Sequence, residues 1–245
     1  GAIKLARKFG KLNLDGAFEI ISTVNSFHGR TLTTAAATGN VHYQENFTPM
    51  TPGFIHVPYN NIDELQNATN KNTCAILLEP VQGEGGVIVP DEQYLKQVRH
   101  LCDEKGILLI LDEVQTGMGR LGTLFGYERF GIEPDVMTLA KGLGGGVPIG
   151  AFLSKSHCDV LRPGDHGSTF GGNPLTCAAA FAVANFVVEQ GILGKVLESE
   201  QILKAGLEAI HARHETLIKE IRGMGLLLAV EFYDDVGPQV VSISN

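Results

Sequence analysis

"CAILLEPVQGEGGVIVPDEQYLKQVRHLCDEKGILLILDEV", residues 74–114, sets two apolar runs on either side of a segment with helical spacing. The runs are apolar on consecutive residues rather than alternate ones, which is the mark of strands covered on both faces in a mostly parallel sheet. Between them Tyr94, Leu95, Val98, Leu101 and Cys102 share one helical face, with Asp91 the expected N-cap and Gly106 the stop. Strand, helix and strand form a βαβ unit.

Working outward, "FEIISTV" (18–24), "DVMTLA" (135–140) and "IGAFLS" (149–154) are further strand-like runs. "GAIKLARKFG" (1–10) has the spacing of an amphipathic helix with Gly10 as its stop. "NPLTCAAAFAVANFVVEQG" (173–191) reads as a nearly all-apolar helix closed by Gly191, hence a buried core or subunit-interface helix. A more charged helix is expected from Leu193 to Ile221, running into "GMGLLLAVEF" (223–232), the first strand of a separate small layer. The fold class is therefore α/β, with a helix-flanked, mostly parallel central sheet over 1–190. Residues 191–245 would form a linker helix and the incomplete start of a smaller α+β domain. Both ends read as cuts through a longer chain, so a fragment is expected.

With 245 residues, 44% hydrophobic, 19% charged and a net charge of −8, the composition is globular and acidic. That balance, with no basic run and only 7% aromatics, argues against nucleic acid or a polybasic membrane patch as partner. The longest apolar stretches fall well short of the roughly 20 residues that cross a bilayer. Cys74, Cys102, Cys158 and Cys177 are scattered, with no C-x-x-C pair, and are expected to be buried, reduced thiols rather than a zinc or redox centre. His211 and His214 lie in a charged helical stretch without a third ligand nearby, so no metal is expected.

In open α/β sheets ligands gather at the carboxyl ends of the strands, and reactive residues end several of these runs. Glu79 ends one, Asp112 and Glu113 another and Lys141 a third, while the first leads into Phe27, His28 and Arg30. Each alone has a plainer reading as cap, solvated cation or core. Their convergence points to chemistry. Lysine can hold an aldehyde cofactor through its amine, and Gly142, Gly144, Gly145 and Gly146 behind Lys141 leave room for a planar group. Pyridoxal phosphate would also use a carboxylate at its ring nitrogen, for which Asp112 is placed, and an aromatic face, which Phe27 can supply. Ser168 and Thr169 of "HGSTFGGN" offer hydroxyl donors for its phosphate. Competing motifs are weaker. "LLILDE" looks like a Walker B strand, but no P-loop sequence exists in the chain. "GMGRLG" (117–122) does not open a long apolar helix, and no G-x-S-x-G elbow is present.

"SFHGRT", "EPVQGEGG", "LDEVQTGMGRLG", "PDVMTLAKGLGGGVPIG" and "HGSTFGGNPL" resemble, in order and along nearly the whole chain, the class III, fold type I pyridoxal-phosphate aminotransferases. Within that family "LFGYERFGIEPD" and "PGDHGSTFGGNPLTCAAA" are most similar to the acetylornithine-specific branch of arginine biosynthesis, with ornithine, succinylornithine and 4-aminobutyrate branches as near alternatives. The resemblance implies that Lys141 binds the cofactor covalently and moves the substrate proton. It implies that Asp112 pairs with the ring nitrogen, Val114 packs under the ring, Gln115 bonds near its phenolic oxygen and Phe27 stacks opposite, with Glu113 also a cofactor-binding residue and Glu79 in the wall beneath the cofactor. Thr169 would reach the phosphate of the neighbouring subunit, which makes a homodimer, and Ser168 would lie near substrate. Arg30 would bind substrate and Glu84 would gate the site between donor and glutamate. The implied partners are small molecules, acetylornithine and 2-oxoglutarate, and the implied place is the cytoplasm, or a mitochondrion or plastid in a eukaryote. A Gly-Thr phosphate loop before residue 1 and a carboxylate-binding arginine after residue 245 are expected of the family, so this piece is expected to hold cofactor weakly. A non-catalytic assembly partner and a class III aminomutase or decarboxylase are the other readings.

Overall fold

The computed structural model describes residues 1–244. A six-stranded sheet runs β2 (Phe54–Val57), β1 (Glu19–Thr23), β3 (Thr73–Leu78), β4 (Leu108–Asp112), β5 (Val136–Leu139), β6 (Ala151–Ser154) in spatial order. All neighbours are parallel except β6, which is antiparallel to β5. The consecutive apolar residues divide between the two faces as expected. Ile21, Ile76, Leu78, Leu109 and Leu111 pack under helix α4 (Tyr94–Lys105) through Tyr94, Leu95, Val98, Leu101 and Cys102. Ile20, Ala75, Leu77, Leu108 and Ile110 pack under helix α1 (Ala2–Asn13) through Leu5, Ala6 and Phe9. Each fully buried Leu or Ile contributes about 1.5–3 kcal/mol, so this two-sided core accounts for most of the apolar driving force.

Two local expectations change. Helix α4 starts at Tyr94, capped by Gln93 rather than Asp91, whose carbonyl accepts from the Tyr94 N–H at 3.0 Å; Gly106 does end it, in the left-handed conformation at φ 65°. Helix α1 passes through Gly10 to Asn13, because Gly10 is a packing contact and not a stop. A Cβ there would lie 2.0 Å from the Ala17 carbonyl oxygen and 2.7 Å from Cys74 Cβ. Gly10→Ala should therefore push α1 off the sheet and cost about 1–3 kcal/mol in a denaturant melt; an unchanged midpoint would contradict the contact.

Two helices not read from sequence, α2 (Leu32–Ala37) and α3 (Ile62–Ala68), flank β2. Beyond β6 come α5 (Pro174–Glu189) and α6 (Ile192–His211), then an antiparallel hairpin of β7 (Ile218–Met224) and β8 (Leu227–Phe232), and finally α7 (Gly237–Ser244). The expected helix from Leu193 to Ile221 is thus cut at His211, and 218–224 is strand. Pairing with β8 makes it a strand, and Gly223 permits the tight hairpin end: at φ +127° its missing Cβ lets the Leu227 carbonyl approach to a distance that no side chain would permit. The hairpin turn is fastened to the large sheet's loops, since Leu226 N–H donates to Arg120 O at 2.9 Å and Arg222 Nε to Gly86 O at 2.8 Å.

Within the chain only Val187 of α5 is buried, and Leu175, Phe181, Phe186 and Val188 stand mostly in solvent. Of the thiols, Cys74, Cys102 and Cys158 are buried and Cys177, on α5, is exposed. Among the described residues no single helix is long and apolar enough to cross a membrane; α5 and α6 reach that length only as a pair bent by 68°.

Candidate active site

The chain leaves β1 for β2 on one side, then crosses back to β3 on the other, so the strand order reverses between β1 and β3. Their carboxyl ends form the crevice where α/β sheets bind ligands. Phe27 and His28 follow β1, Glu79 follows β3, Asp112 closes β4 and Lys141 follows β5.

Asp112 is fixed from three directions. Its Oδ2 accepts from His28 Nδ1 at 2.8 Å, and its Oδ1 accepts from Thr138 Oγ1 at 3.0 Å and from the Val114 N–H at 3.2 Å. Thr138 is its partner in the β4–β5 register, so strand pairing itself presents the hydroxyl. Because a carboxylate only accepts, the His28 proton lies on Nδ1; its Nε2 is buried without a partner among the described residues. The His28 side chain is 2% exposed and Asp112 11%, so the pair is shielded from bulk water.

Glu79 and Glu113 are structural carboxylates. Glu79 accepts the Phe27 N–H and the Gly83 N–H, both at 3.1 Å, which ties the loop after β1 to the loop after β3. Burial raises its pKa, opposed by His28 and by those two hydrogen bonds. Glu113 faces away from Asp112, as successive strand-end residues do. It accepts from the Gly126 and Tyr127 N–H groups at 2.8 Å and from the Thr116 hydroxyl, so the structure does not bring its carboxylate to the crevice.

Burial also raises the Glu113 pKa above its ordinary 4.5, despite these three donors. Below pH 4.5 the folded and unfolded chains both carry the proton. Above it the unfolded chain ionises first, so stability falls as pH rises until folded Glu113 ionises too. Glu113→Gln should be less stable by about 1–3 kcal/mol, for want of one acceptor. Its melts between pH 4 and 7 should nevertheless show a shallower decline than wild type, and an identical slope would contradict the assignment.

Lys141 begins a short 3-10 turn, Lys141–Gly144, and has φ +42°. A lysine in the left-handed region costs about 1–2 kcal/mol, and the surrounding fold pays no such penalty without enforcing it. The exposed Lys141 lines a cavity of about 490 Å³ together with Val114, Gln115, Met118, Arg120 and Leu226. Gln115 reaches it by packing on Gly83, where a Cβ would sit 2.5 Å from the amide nitrogen. Of the glycines after Lys141, Gly146 faces open space and Gly142 lines the cavity, while Gly145 has a packing role. Gly145 has φ +58°, and its missing Cβ admits Val183 of α5, which would be 2.6 Å away. A wider cavity of about 650 Å³, lined by Asp15, Asn70, Lys71, Thr73 and Lys105, lies at the opposite, amino ends of β3 and β4 and holds none of these residues.

Phe27 is half-buried with Tyr43 edge-on at 5.3 Å, and the exposed Arg30 lies over both rings. Glu84 is exposed in the tight loop closed by the Gln82 and Ile88 backbones. Ser168 and Thr169 are exposed on the loop before α5, and among the described residues no hydrogen bond joins them to Asp112, Gln115 or Lys141. Sequence reasoning left His28, Thr138 and Tyr43 without roles. For His28 the signal was its place between Phe27 and Arg30; for Thr138 and Tyr43 only pairing in space shows it.

The aminotransferase class-III profile matches residues 1–243. The acetylornithine aminotransferase of Caldanaerobacter subterraneus subsp. tengcongensis is 52% identical over 232 residues, covering 94% of this chain and 59% of the relative. The solved ornithine aminotransferase of Toxoplasma gondii superposes with a TM-score of 0.91 at 38% identity, over 96% of this chain and 57% of its own. An amine transaminase from an uncultivated Pseudomonas species, solved in its PLP-bound form, superposes with a TM-score of 0.85 at 30% identity, over 96% and 60%. The chain spans about three fifths of the length of these proteins. With a strained lysine and an anchored aspartate at adjacent strand ends, on a sheet that superposes on solved transaminases, the chain belongs to the class III aminotransferase family.

Proposed function

We propose that the whole protein transfers the terminal amine of N2-acetyl-L-ornithine to 2-oxoglutarate, giving N-acetyl-L-glutamate 5-semialdehyde and L-glutamate, with pyridoxal 5'-phosphate as cofactor. The observation that carries this reading is Lys141, held in a strained backbone at the end of β5 beside the strand that ends in Asp112. The named relatives favour the acetylornithine donor and its place in arginine biosynthesis.

The residues present fit the cofactor: a primary amine lines a cavity, a largely buried carboxylate at the next strand end has both oxygens fixed, and an aromatic ring stands at the neighbouring loop. When bound, the cofactor supplies an electron sink for the bond broken at the amine-bearing carbon. Lys141 would hold it and would carry the proton from that carbon, a role that suits a flexible amine lining the cavity. Asp112, kept from rotating by His28 and Thr138, would pair with the ring nitrogen. Phe27 and Val114 would shield the ring from water, and Gln115 would donate a hydrogen bond to the phenolic oxygen. Arg30 grips the donor's carboxylate and Glu84 accommodates the exchange between donor and glutamate.

Ser168 and Thr169 serve the site of a second copy, and the unpartnered apolar face of α5 supports a homodimer. Residues 1–190 form the cofactor domain, and 191–245 the linker and beginning of the smaller one. The full-length protein, given 2-oxoglutarate and each of acetylornithine, ornithine, succinylornithine and 4-aminobutyrate, should form glutamate fastest with acetylornithine. A higher kcat/KM for ornithine would move it to that branch, and glutamate from none of them would overturn the reading.

A further inference from the structure

Arg30 and Tyr43 belong to different loops, yet the Arg30 guanidinium centre lies 4.9 Å above the Tyr43 ring and 5.8 Å above that of Phe27. Tyr43 itself is held. Its 3-10 turn, Val41–Tyr43, is capped by Asn40 Oδ1, which accepts from the His42 N–H at 3.0 Å. The next residue, Gln44, donates from its amide to Ala35 O at 3.3 Å and Thr38 O at 2.6 Å, which docks the turn on the end of α2. On the other side the His28 N–H donates to Thr38 Oγ1 at 2.8 Å. Gly29, at φ +128° and with no space for a Cβ beside Thr34, turns the chain so that Arg30 faces the rings. Among the described residues Arg30 forms no salt bridge.

A guanidinium held near an aromatic ring by a cation–π contact still has N–H groups to spare, and their planar fork matches a carboxylate with two parallel hydrogen bonds. We infer that Tyr43 is a positioning residue for substrate recognition: it holds the Arg30 guanidinium in the orientation that forks a carboxylate of the amine donor. The inference rests on the reading of Arg30 as donor-binding, given above. Tyr43 acts through Arg30 and touches no reacting atom, so its effect falls on donor binding rather than on the chemical step. The ring face does the work, and the hydroxyl is dispensable.

The test uses the full-length, cofactor-loaded protein. Tyr43→Leu should raise KM for the acetylated diamine about 3- to 10-fold, the range expected for a partly shielded cation–π contact, with kcat within about twofold of wild type. Tyr43→Phe should restore the wild-type KM. Arg30→Gln should raise the donor KM more than Tyr43→Leu does, and Tyr43→Leu combined with it should add nothing further. A wild-type donor KM in Tyr43→Leu, with a raised one in Arg30→Gln, overturns the positioning role and leaves Arg30's role intact. A wild-type donor KM in Arg30→Gln overturns the reading of Arg30 itself. A fall in kcat without a change in KM, not rescued by Tyr43→Phe, marks a purely structural role and also overturns the inference.

Discussion

Lys141→Ala in the full-length protein is expected to lower the rate of amine transfer by at least about 10⁴-fold, since both the covalent hold on the cofactor and the proton-carrying amine are lost. Added pyridoxal phosphate should no longer give the absorbance band of a lysine-bound cofactor, while a cooperative thermal melt is retained, and the two together distinguish lost chemistry from lost folding. The backbone at Lys141 sharpens the expectation. Its left-handed φ of +42° means that Lys141→Gly relieves strain of about 1–2 kcal/mol, partly offset by the greater freedom of glycine in the unfolded chain. Lys141→Gly should thus melt no lower than wild type while being inactive. A stable variant with more than a hundredth of wild-type turnover would remove Lys141 from the centre of the reaction. The 245-residue chain should bind pyridoxal phosphate more weakly than the full-length protein, by dialysis followed by absorbance.

Asp112→Asn is expected to reduce turnover by about 10²- to 10³-fold, the usual loss when one preorganised charged group is removed from a transition state. The amide keeps the shape of the side chain, but it offers one acceptor oxygen where the carboxylate serves His28, Thr138 and Val114 with two. The amide NH2 then faces either His28 Nδ1 or the Thr138 and Val114 donors, so the anchor loosens as the charge disappears. Cofactor retention on a desalting column should fall with turnover. Full activity with unchanged retention would show that the ring nitrogen has another partner.

Much of this was legible in the residues. Consecutive apolar letters in β3 and β4, with a helical stripe between them, required a sheet covered on both faces, and the structure sorts Ile76 and Leu78 to one face and Ala75 and Leu77 to the other. A reactive residue closing each strand then had to fall at one edge, because parallel strands point the same way. The short strand β2 escaped notice because "FIHV" is only half-buried at the sheet's edge and carries a histidine. The strand β7 was hidden because "IKEIRGM" keeps the charge pattern of the preceding helix, and its strand form depends on pairing with β8.

Sequence alone determined the covered, mostly parallel sheet apart from its edge strand β2, and the family, since hydrophobic period and motif order are local properties of the chain. Tertiary structure decided which carboxylates face the crevice: Asp112 is turned to His28 and Thr138, while Glu113, its immediate neighbour, is spent on Gly126 and Tyr127. It also decided that Lys141 is strained, that Gly145 exists for Val183, and that Arg30 rests on Tyr43 thirteen positions along. Those facts depend on which distant residues meet when two loops close on one strand edge, and no periodicity in a single segment encodes that meeting.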